Sequence, residues 1–503
     1  MTFKLFAKHE SKVFRWMKDN YILILILSAI IAMAISLTIG LAQSVWFDEA
    51  YSIMLAKQPV SEILRLTSLD THPPLYYLLL SLWGNMFGWG EFALRSLSVL
   101  AMGGAVIFSG LLIKKLFGVR AALITLPFVV FAPFLLRYGF EIRMYSVASF
   151  IGIAATYILI NALEAKKIRQ VWLYILYAVF VVLGVYTLYY TVLLWFTHLI
   201  WLIWRSYSNK ETLLKSNWVK AYLLSVVLFL PWLPTFIKQI SNGALAPISQ
   251  SMTLDNLFGI ISFSFLYRPV WQLDPFQSLI IFSVIILLGY LSVRAFKLVS
   301  SKQKPYLVLL AMYVVVPVAI LTLVGLFRPM YVERYLAHIL IGLSMFIGVS
   351  VSLVSEKAKK SVRVSLSLLI VVLVAGVIQL SQVGNYNFQR LQKPDINQSV
   401  LLINNCDNNN KVLAAGPYVA IELSYYLPNC KIYFYSEVTK LGGGYAALSN
   451  SSLRIDNVES QLKDLDTIYY VHYSDPELKM PSNLLLFIKQ TPGILKVDQF
   501  SQR

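Results

Sequence analysis

Residues 21–43, YILILILSAIIAMAISLTIGLAQ, contain no charged side chain and follow a segment that carries Lys4, Lys8, Lys12, Arg15 and Lys18. A helix needs about 20 apolar residues to cross the hydrocarbon of a bilayer, so this run is long enough to span one. A basic segment before an apolar run also describes a secretory signal peptide. The run is longer than an h-region, however, and no small-residue cleavage site follows it, so it is read as a retained first membrane helix.

The rest of the chain repeats the pattern. Apolar runs recur near 92–113, 121–136, 144–163, 171–190, 191–204, 218–237, 276–293, 305–327, 335–354 and 364–383. With 58% hydrophobic residues, 14% charged residues and a mean hydropathy of +0.66, 503 residues cannot close into a water-soluble globule. The expected fold is an α-helical polytopic membrane protein of about eleven transmembrane helices. The fifth and sixth runs meet at Tyr189 and Tyr190.

Charge gives the orientation, because short cytoplasmic loops collect Lys and Arg. With the N-terminus (residues 1–20) inside, the inner loops hold Lys114, Lys115 and Arg120, then Lys166, Lys167 and Arg169, then Arg205, Lys210, Lys215 and Lys220. Arg294, Lys297, Lys302, Lys304, Lys357, Lys359, Lys360 and Arg363 follow, so six inner segments take 23 of the 43 basic residues. The net charge of +18 is thus a matter of topology. A nucleic-acid binder would gather its basic residues on one folded face with aromatics between them, and no nucleic-acid partner is expected. The chain is placed in the cell membrane as a multi-pass protein with its N-terminus cytoplasmic.

An odd number of crossings carries residues 384–503 outside. Polarity rises at Gln382 and the apolar runs shorten to strand length. Residues 411–415, 431–435 and 467–472 read as strands, with helices over 418–427 and 458–465. Alternating strand and helix predict a small C-terminal α/β extracytoplasmic domain, beyond a membrane domain of residues 21–383. Cys406 and Cys430, the two cysteines, are either a disulfide or two free thiols. Asn404 to Asn410 and Gly442 to Gly444 read as loops.

The densest chemistry lies in the first outside loop, residues 44–91. It opens with Trp46, Phe47, Asp48, Glu49, Ala50, Tyr51 and Ser52. Adjacent carboxylates at the outer end of a membrane helix are costly unless solvated or paired, which makes them functional candidates. Alternatively, Asp48 caps the following short helix and Glu49 favours its positive end. Further along stand Asp70, Thr71, His72, Pro73, Pro74, Leu75, Tyr76 and Tyr77, where the two prolines force a turn before a new helix. The amphiphilic stretch 75–88 suits a helix lying at the interface.

In order and spacing, these residues carry a resemblance. Asp48–Glu49, then His72-Pro73-Pro74-Leu75-Tyr76-Tyr77, Glu91 to Arg95, Lys114 to Gly118, Glu141 to Tyr145 and Glu333 to Leu336 resemble the bacterial branch of the dolichyl-phosphate-mannose protein mannosyltransferase family. That superfamily of GT-C fold glycosyltransferases also includes the aminoarabinose transferases of lipid A, and the likeness covers roughly residues 40–340. The resemblance implies transfer of a sugar from a polyprenyl-phosphate carrier to an acceptor protein, lipid or glycan at the outer face of the membrane. A site outside the cell has no nucleotide sugars at hand, and the sequence carries no glycine-rich phosphate fingerprint.

An acceptor hydroxyl gains from a carboxylate base. Asp48 is the candidate, with Glu49 as a partner that either supports it from behind or orients the acceptor, and a single displacement would invert the anomeric centre. Glu141 and Arg143 form a candidate acceptor or second acidic site, although Arg137 and Glu141 are also spaced as a helical ion pair. The leaving phosphate calls for cations. His72, Arg268 and Arg334 are the candidates, with interfacial snorkelling as the competing reading for each long cation. The apolar stretch 254–267 either gates the lipid or packs. His198, alone in an apolar run, reads as a satisfied core residue. Metal-site spacing is absent, so no metal or other cofactor is expected. A lipid-linked sugar transporter or flippase stands as the alternative; such proteins tend to show internal repeats and broken helices at the midplane.

Overall fold

The computed structural model describes residues 12–210, 216–241, 251–357, 360–383, 396–403, 410–449, 451–462, 466–473, 480–490 and 495–502, with Thr212, Cys406 and Leu478. Lys4, Lys8, Lys215, Lys359 and most of the Asn404 to Asn410 loop lie outside the described residues.

Among the described residues, eight helices are long and apolar enough to cross a membrane. They are Tyr21–Leu41, Glu91–Phe117, Tyr145–Glu164, Lys167–Thr187, Asn217–Ser241, Pro275–Leu298, Lys304–Gly325 and Glu333–Glu356. The run expected at 121–136 is broken: Val119–Val130 and Pro133–Gly139 meet at 63°. Pro133 is the cause, since a residue before proline avoids the helical region, and Ala132 is extended at ψ 110°. Counting that bent pair once gives nine crossings. The other two expected runs are also helical. Val192–Ser208 has 17 residues, roughly 26 Å at the usual helical rise, and Lys360–Val383 has 24. The fifth and sixth runs part at a short 3-10 turn, Tyr189–Thr191, after an extended Leu188.

Glu333–Glu356 and Tyr145–Glu164 form the centre of the bundle, with 83% and 78% of their apolar windows buried, against 11% for Asn217–Ser241. The outer helices turn Leu223, Val226, Phe276, Leu279 and Phe282 outward, as lipid-facing positions require. Helix Leu254–Phe265 buries Ile260 and the residues from Ser262 to Phe265, so the stretch expected either to gate or to pack is packed along that face. Between the membrane helices, His198 shares hydrogen bonds with Thr156 (3.1 Å) and the Tyr177 hydroxyl (3.0 Å), the satisfied core residue it was expected to be.

The loop after the first membrane helix folds into three short helices, Phe47–Ala56, Val60–Leu69 and Leu75–Phe87. The last follows Pro74 and has two faces: Tyr76, Tyr77, Leu80 and Gly84 are buried, while Leu82, Met86 and Phe87 are exposed.

The tail carries a six-stranded sheet of β1 (Asn410–Ala414), β2 (Ile432–Tyr435), β3 (Arg454–Ile455), β4 (Thr467–His472), β5 (Leu484–Gln490) and β6 (Lys496–Gln502). Its order is β3-β2-β1-β4-β6-β5. The first four strands in that order run parallel, and β6 is antiparallel to both β4 and β5. The three expected strands are β1, β2 and β4; β3, β5 and β6 were not foreseen. Helices Pro417–Tyr426 and Val458–Leu462 are the expected crossovers. Cys406 and Cys430 form a disulfide.

Candidate active site

Helix Phe47–Ala56 starts where the first membrane helix ends. Its N-cap residue is Trp46, so Asp48 is not the cap. Glu49 instead takes up the orphan donor of that end, its Oε2 accepting the Trp46 N–H at 3.4 Å. Its Oε1 accepts the Ile142 N–H at 3.0 Å. Arg95 lies 3.4 Å from Glu49, with both side chains buried. The same guanidinium donates to the carbonyls of Gly40 and Gln43, placing a cation on the C-terminal carbonyls of the first membrane helix, where the helix dipole favours one. Glu49 is therefore fully engaged in holding the loop.

With Glu49 turned inward, Asp48 faces the other side of the helix. Its Oδ2 lies 3.4 Å from the Arg334 guanidinium, and both side chains are largely buried. Arg334 comes from the short turn Glu333–Leu336 that opens the central helix, and it lies over the rings of Trp46 and Tyr335. Arg143 approaches from the turn after Pro133–Gly139. It donates to the Asp48 carbonyl (3.4 Å), the Ser52 hydroxyl (3.2 Å) and the Tyr77 hydroxyl (3.3 Å). Burial is the largest single influence on Arg143 and opposes its charge, but Tyr77, Asp48, Tyr145 and Tyr335 act together against it and hold the guanidinium above its ordinary value.

His72 closes the group. Its Nε2 shares a 3.3 Å hydrogen bond with the Tyr335 hydroxyl. Burial first, then the charges of Arg143 and Arg334, hold the imidazole well below its ordinary value, so His72 is neutral at pH 7 and meets a ligand as a hydrogen-bonding group, not as a cation. Beside it, burial pushes the Asp70 carboxyl up, against the Thr71 N–H and Arg143, which pull it down.

Asp48, Arg143, His72 and Arg334 are thus brought together. Glu141 sits one layer deeper: its Oε1 accepts the Trp46 indole N–H at 2.7 Å and its Oε2 lies 3.3 Å from Arg137. The ion pair at that spacing is present, though Glu141 stands in the turn beyond the helix that ends at Gly139, and Glu141 props Trp46 from beneath. Arg268 is half-buried, and among the described residues no hydrogen bond or ion pair joins its guanidinium to this group. Sequence reasoning passed over Asp70, Tyr77, Arg95 and Tyr335. Arg95 and Tyr77 lie inside the quoted motifs, where a buried guanidinium and a tyrosine after the prolines were the available signals.

An apolar cavity of about 680 Å³ adjoins the site. His72 and Tyr335 form part of its wall, with Tyr190, Trp195, Phe229 and Phe236. Among the described residues no three His, Cys, Asp or Glu side chains are gathered as a metal ion would need.

The whole chain superposes on the crystal structure of ArnT from Cupriavidus metallidurans bound to undecaprenyl phosphate, with a TM-score of 0.62 at 12% identity over 95% of this chain and 98% of that one. The chain has the GT-C fold. The apo state of the same ArnT matches this GT-C chain with a TM-score of 0.59 at 11% identity, covering 96% of this chain and 98% of that chain. The Archaeoglobus fulgidus oligosaccharyltransferase tethered to an acceptor peptide gives a TM-score of 0.49 at 13% identity, over 90% of this chain and 69% of that chain. In sequence, residues 71–234 match the family model described as dolichyl-phosphate-mannose-protein mannosyltransferase, a stretch that contains His72, Glu141 and Arg143. No curated protein sequence matches the GT-C chain.

Proposed function

We propose that the protein is a membrane glycosyltransferase that moves a sugar from a polyprenyl-phosphate carrier to an acceptor hydroxyl at the outer face of the membrane. One observation carries the reading: the Asp48 carboxylate pairs with the largely buried Arg334 guanidinium, Arg143 donates to the Asp48 carbonyl, and this group adjoins, through His72 and Tyr335, the wall of an apolar cavity. A lipid-linked anion needs this pairing of an apolar slot with fixed cations beside it.

In this mechanism the acceptor oxygen attacks the anomeric carbon as the bond from that carbon to the phosphate oxygen breaks. The acceptor proton passes to Asp48, and the electron pair of the broken bond leaves with the polyprenyl phosphate. Arg334 and Arg143 meet the developing phosphate charge, with His72 and Tyr335 donating hydrogen bonds beside them. Before the donor binds, Arg334 pairs with the Asp48 carboxylate. The donor phosphate then competes for the same guanidinium, which frees the carboxylate to act as a base. A single displacement inverts the anomeric centre. The step draws on no metal or other cofactor. The N-terminus is placed in the cytoplasm and the sheet domain outside, by the distribution of basic residues. The fold relatives agree in kind, since one holds undecaprenyl phosphate.

The test is transfer by purified protein in detergent from radiolabelled polyprenyl-phosphate sugars to an extract of candidate acceptors. Label appearing in an acceptor is the expected result. No transfer from any carrier, with flipping of lipid-linked sugar in liposomes, would replace the reading with a transporter.

A further inference from the structure

Asp48 is the second residue of a ten-residue helix, Phe47–Ala56, and so short a helix does not hold its shape alone. The membrane domain grips it through Glu49, on Arg95 and the Ile142 N–H, and through Trp46 on Glu141. The residues between and before these, Ser44, Val45 and Phe47, are gripped by the sheet domain. Phe47 stacks face to face on Tyr418, with ring centres 4.2 Å apart and planes 8° from parallel, and Tyr445 flanks it at 5.5 Å. The Val45 N–H donates to the Tyr426 hydroxyl. That hydroxyl in turn donates to Glu91 Oε1 at 3.2 Å, and Glu91 lies 4.0 Å from Arg95, the partner of Glu49. Nearby, the Asn397 N–H donates to the Ser44 hydroxyl at 3.5 Å and the Tyr425 hydroxyl donates to the Trp89 carbonyl at 3.4 Å.

From these contacts we propose that the sheet domain is a positioning element for Asp48. Its helix Pro417–Tyr426, through Tyr418 and Tyr426, fixes the first turn of Phe47–Ala56 and so aims the Asp48 carboxylate between Arg334 and Arg143. Tyr418 and Tyr426 are positioning residues that act through Phe47, Val45 and the relay from Glu91 to Arg95. The two tail contacts are different in kind, one a ring face and one a hydroxyl, so they can be removed separately. This role rests on the transferase reading above and adds to it a reason for the tail to be present at all. A catalytic carboxylate must be held within a fraction of an ångström of its working geometry, and a loop helix at the membrane surface needs a second body to do so.

The test uses the full chain as Tyr418→Ala, Tyr426→Phe, the double variant and Tyr418→Phe, read by hydrogen exchange and by steady-state kinetics. In the double variant, amides 47–52 are expected to exchange at least tenfold faster while β1 and β4 of the sheet stay protected. The kcat for transfer falls at least tenfold with the donor KM within twofold, as loss of an interaction that aligns the reacting groups requires. Tyr418→Phe, which keeps the ring, restores both. Unchanged exchange at 47–52 would overturn the proposal, as would faster exchange with an unchanged kcat, or a raised donor KM at constant kcat. Should the wild type transfer no sugar, the transferase reading fails separately, and the exchange data still decide whether the sheet domain orders this helix.

Discussion

Arg95 and Glu49 are buried together, with side-chain exposures of 0% and 1%. Removing one partner of such a pair strands the other charge and costs about 3–5 kcal/mol. Arg95→Ala is therefore expected to lower the thermal midpoint in detergent far more than the paired change of Arg95→Met with Glu49→Met, which leaves no charge behind; equal losses would mean that the pair is packing alone. His72 gives a second residue-level expectation. Its folded imidazole resists protonation, whereas the unfolded one takes a proton below about pH 6.5. The unfolded state then binds more protons, so stability falls as pH drops through that window by about 1.4 kcal/mol per pH unit. In thermal melts from pH 7.5 to 5, His72→Gln should lose that component of the slope. At this scale the sequence was half legible. Asp48, His72, Arg143 and Arg334 could be named because charged or polar groups at the outer ends of apolar runs need a reason to be there. That Glu49 turns inward could not be read, because one residue of helical rotation separates a capping carboxylate from an exposed one, and the decision belongs to Arg95, 46 positions along the chain.

Proline and glycine govern the elements. Most helices follow from the apolar runs, but Val119–Val130 and Pro133–Gly139 required the restriction before Pro133 to be given more weight than the hydropathy of the run. That bend sends Arg137, Glu141 and Arg143 under the first loop. Pro133 also meets Gly376 of helix Lys360–Val383. A Cβ at Gly376 would run into the Phe265 carbonyl oxygen and lie 2.7 Å from the Pro133 ring, so three elements approach as closely as only glycine permits. Gly376→Ala is expected to destabilise by about 1–3 kcal/mol, seen as a lower thermal midpoint, together with faster proteolysis at helix Leu254–Phe265. An unchanged midpoint would show that these helices separate freely. Strands β5 and β6 escaped the sequence reading although each has seven residues; pairing selects them, β6 on β4 and β5 on β6.

Two bodies make up the whole molecule, a helical membrane part and a sheet domain seated on its first loop. The distribution of lysine and arginine predicts that the sheet domain faces outside, and a disulfide in that domain suits an oxidising compartment. In intact cells, Ser460→Cys in the sheet domain should react with a membrane-impermeant maleimide, and Ser208→Cys, after the helix Val192–Ser208, only once the membrane is opened; the reverse pattern would invert the topology. How the two bodies meet was beyond the sequence, because Phe47 on Tyr418 joins residues 371 positions apart. The proposed site is nonetheless a property of that assembly, in which Asp48 faces Arg334 beside the His72 and Tyr335 wall of an apolar cavity. The most direct measurement is the rate of sugar transfer from polyprenyl phosphate by Asp48→Asn beside wild type, each shown to be folded by its thermal midpoint. A loss of at least a hundredfold with the midpoint retained is the predicted result, and equal rates in the two proteins would contradict Asp48 as the base.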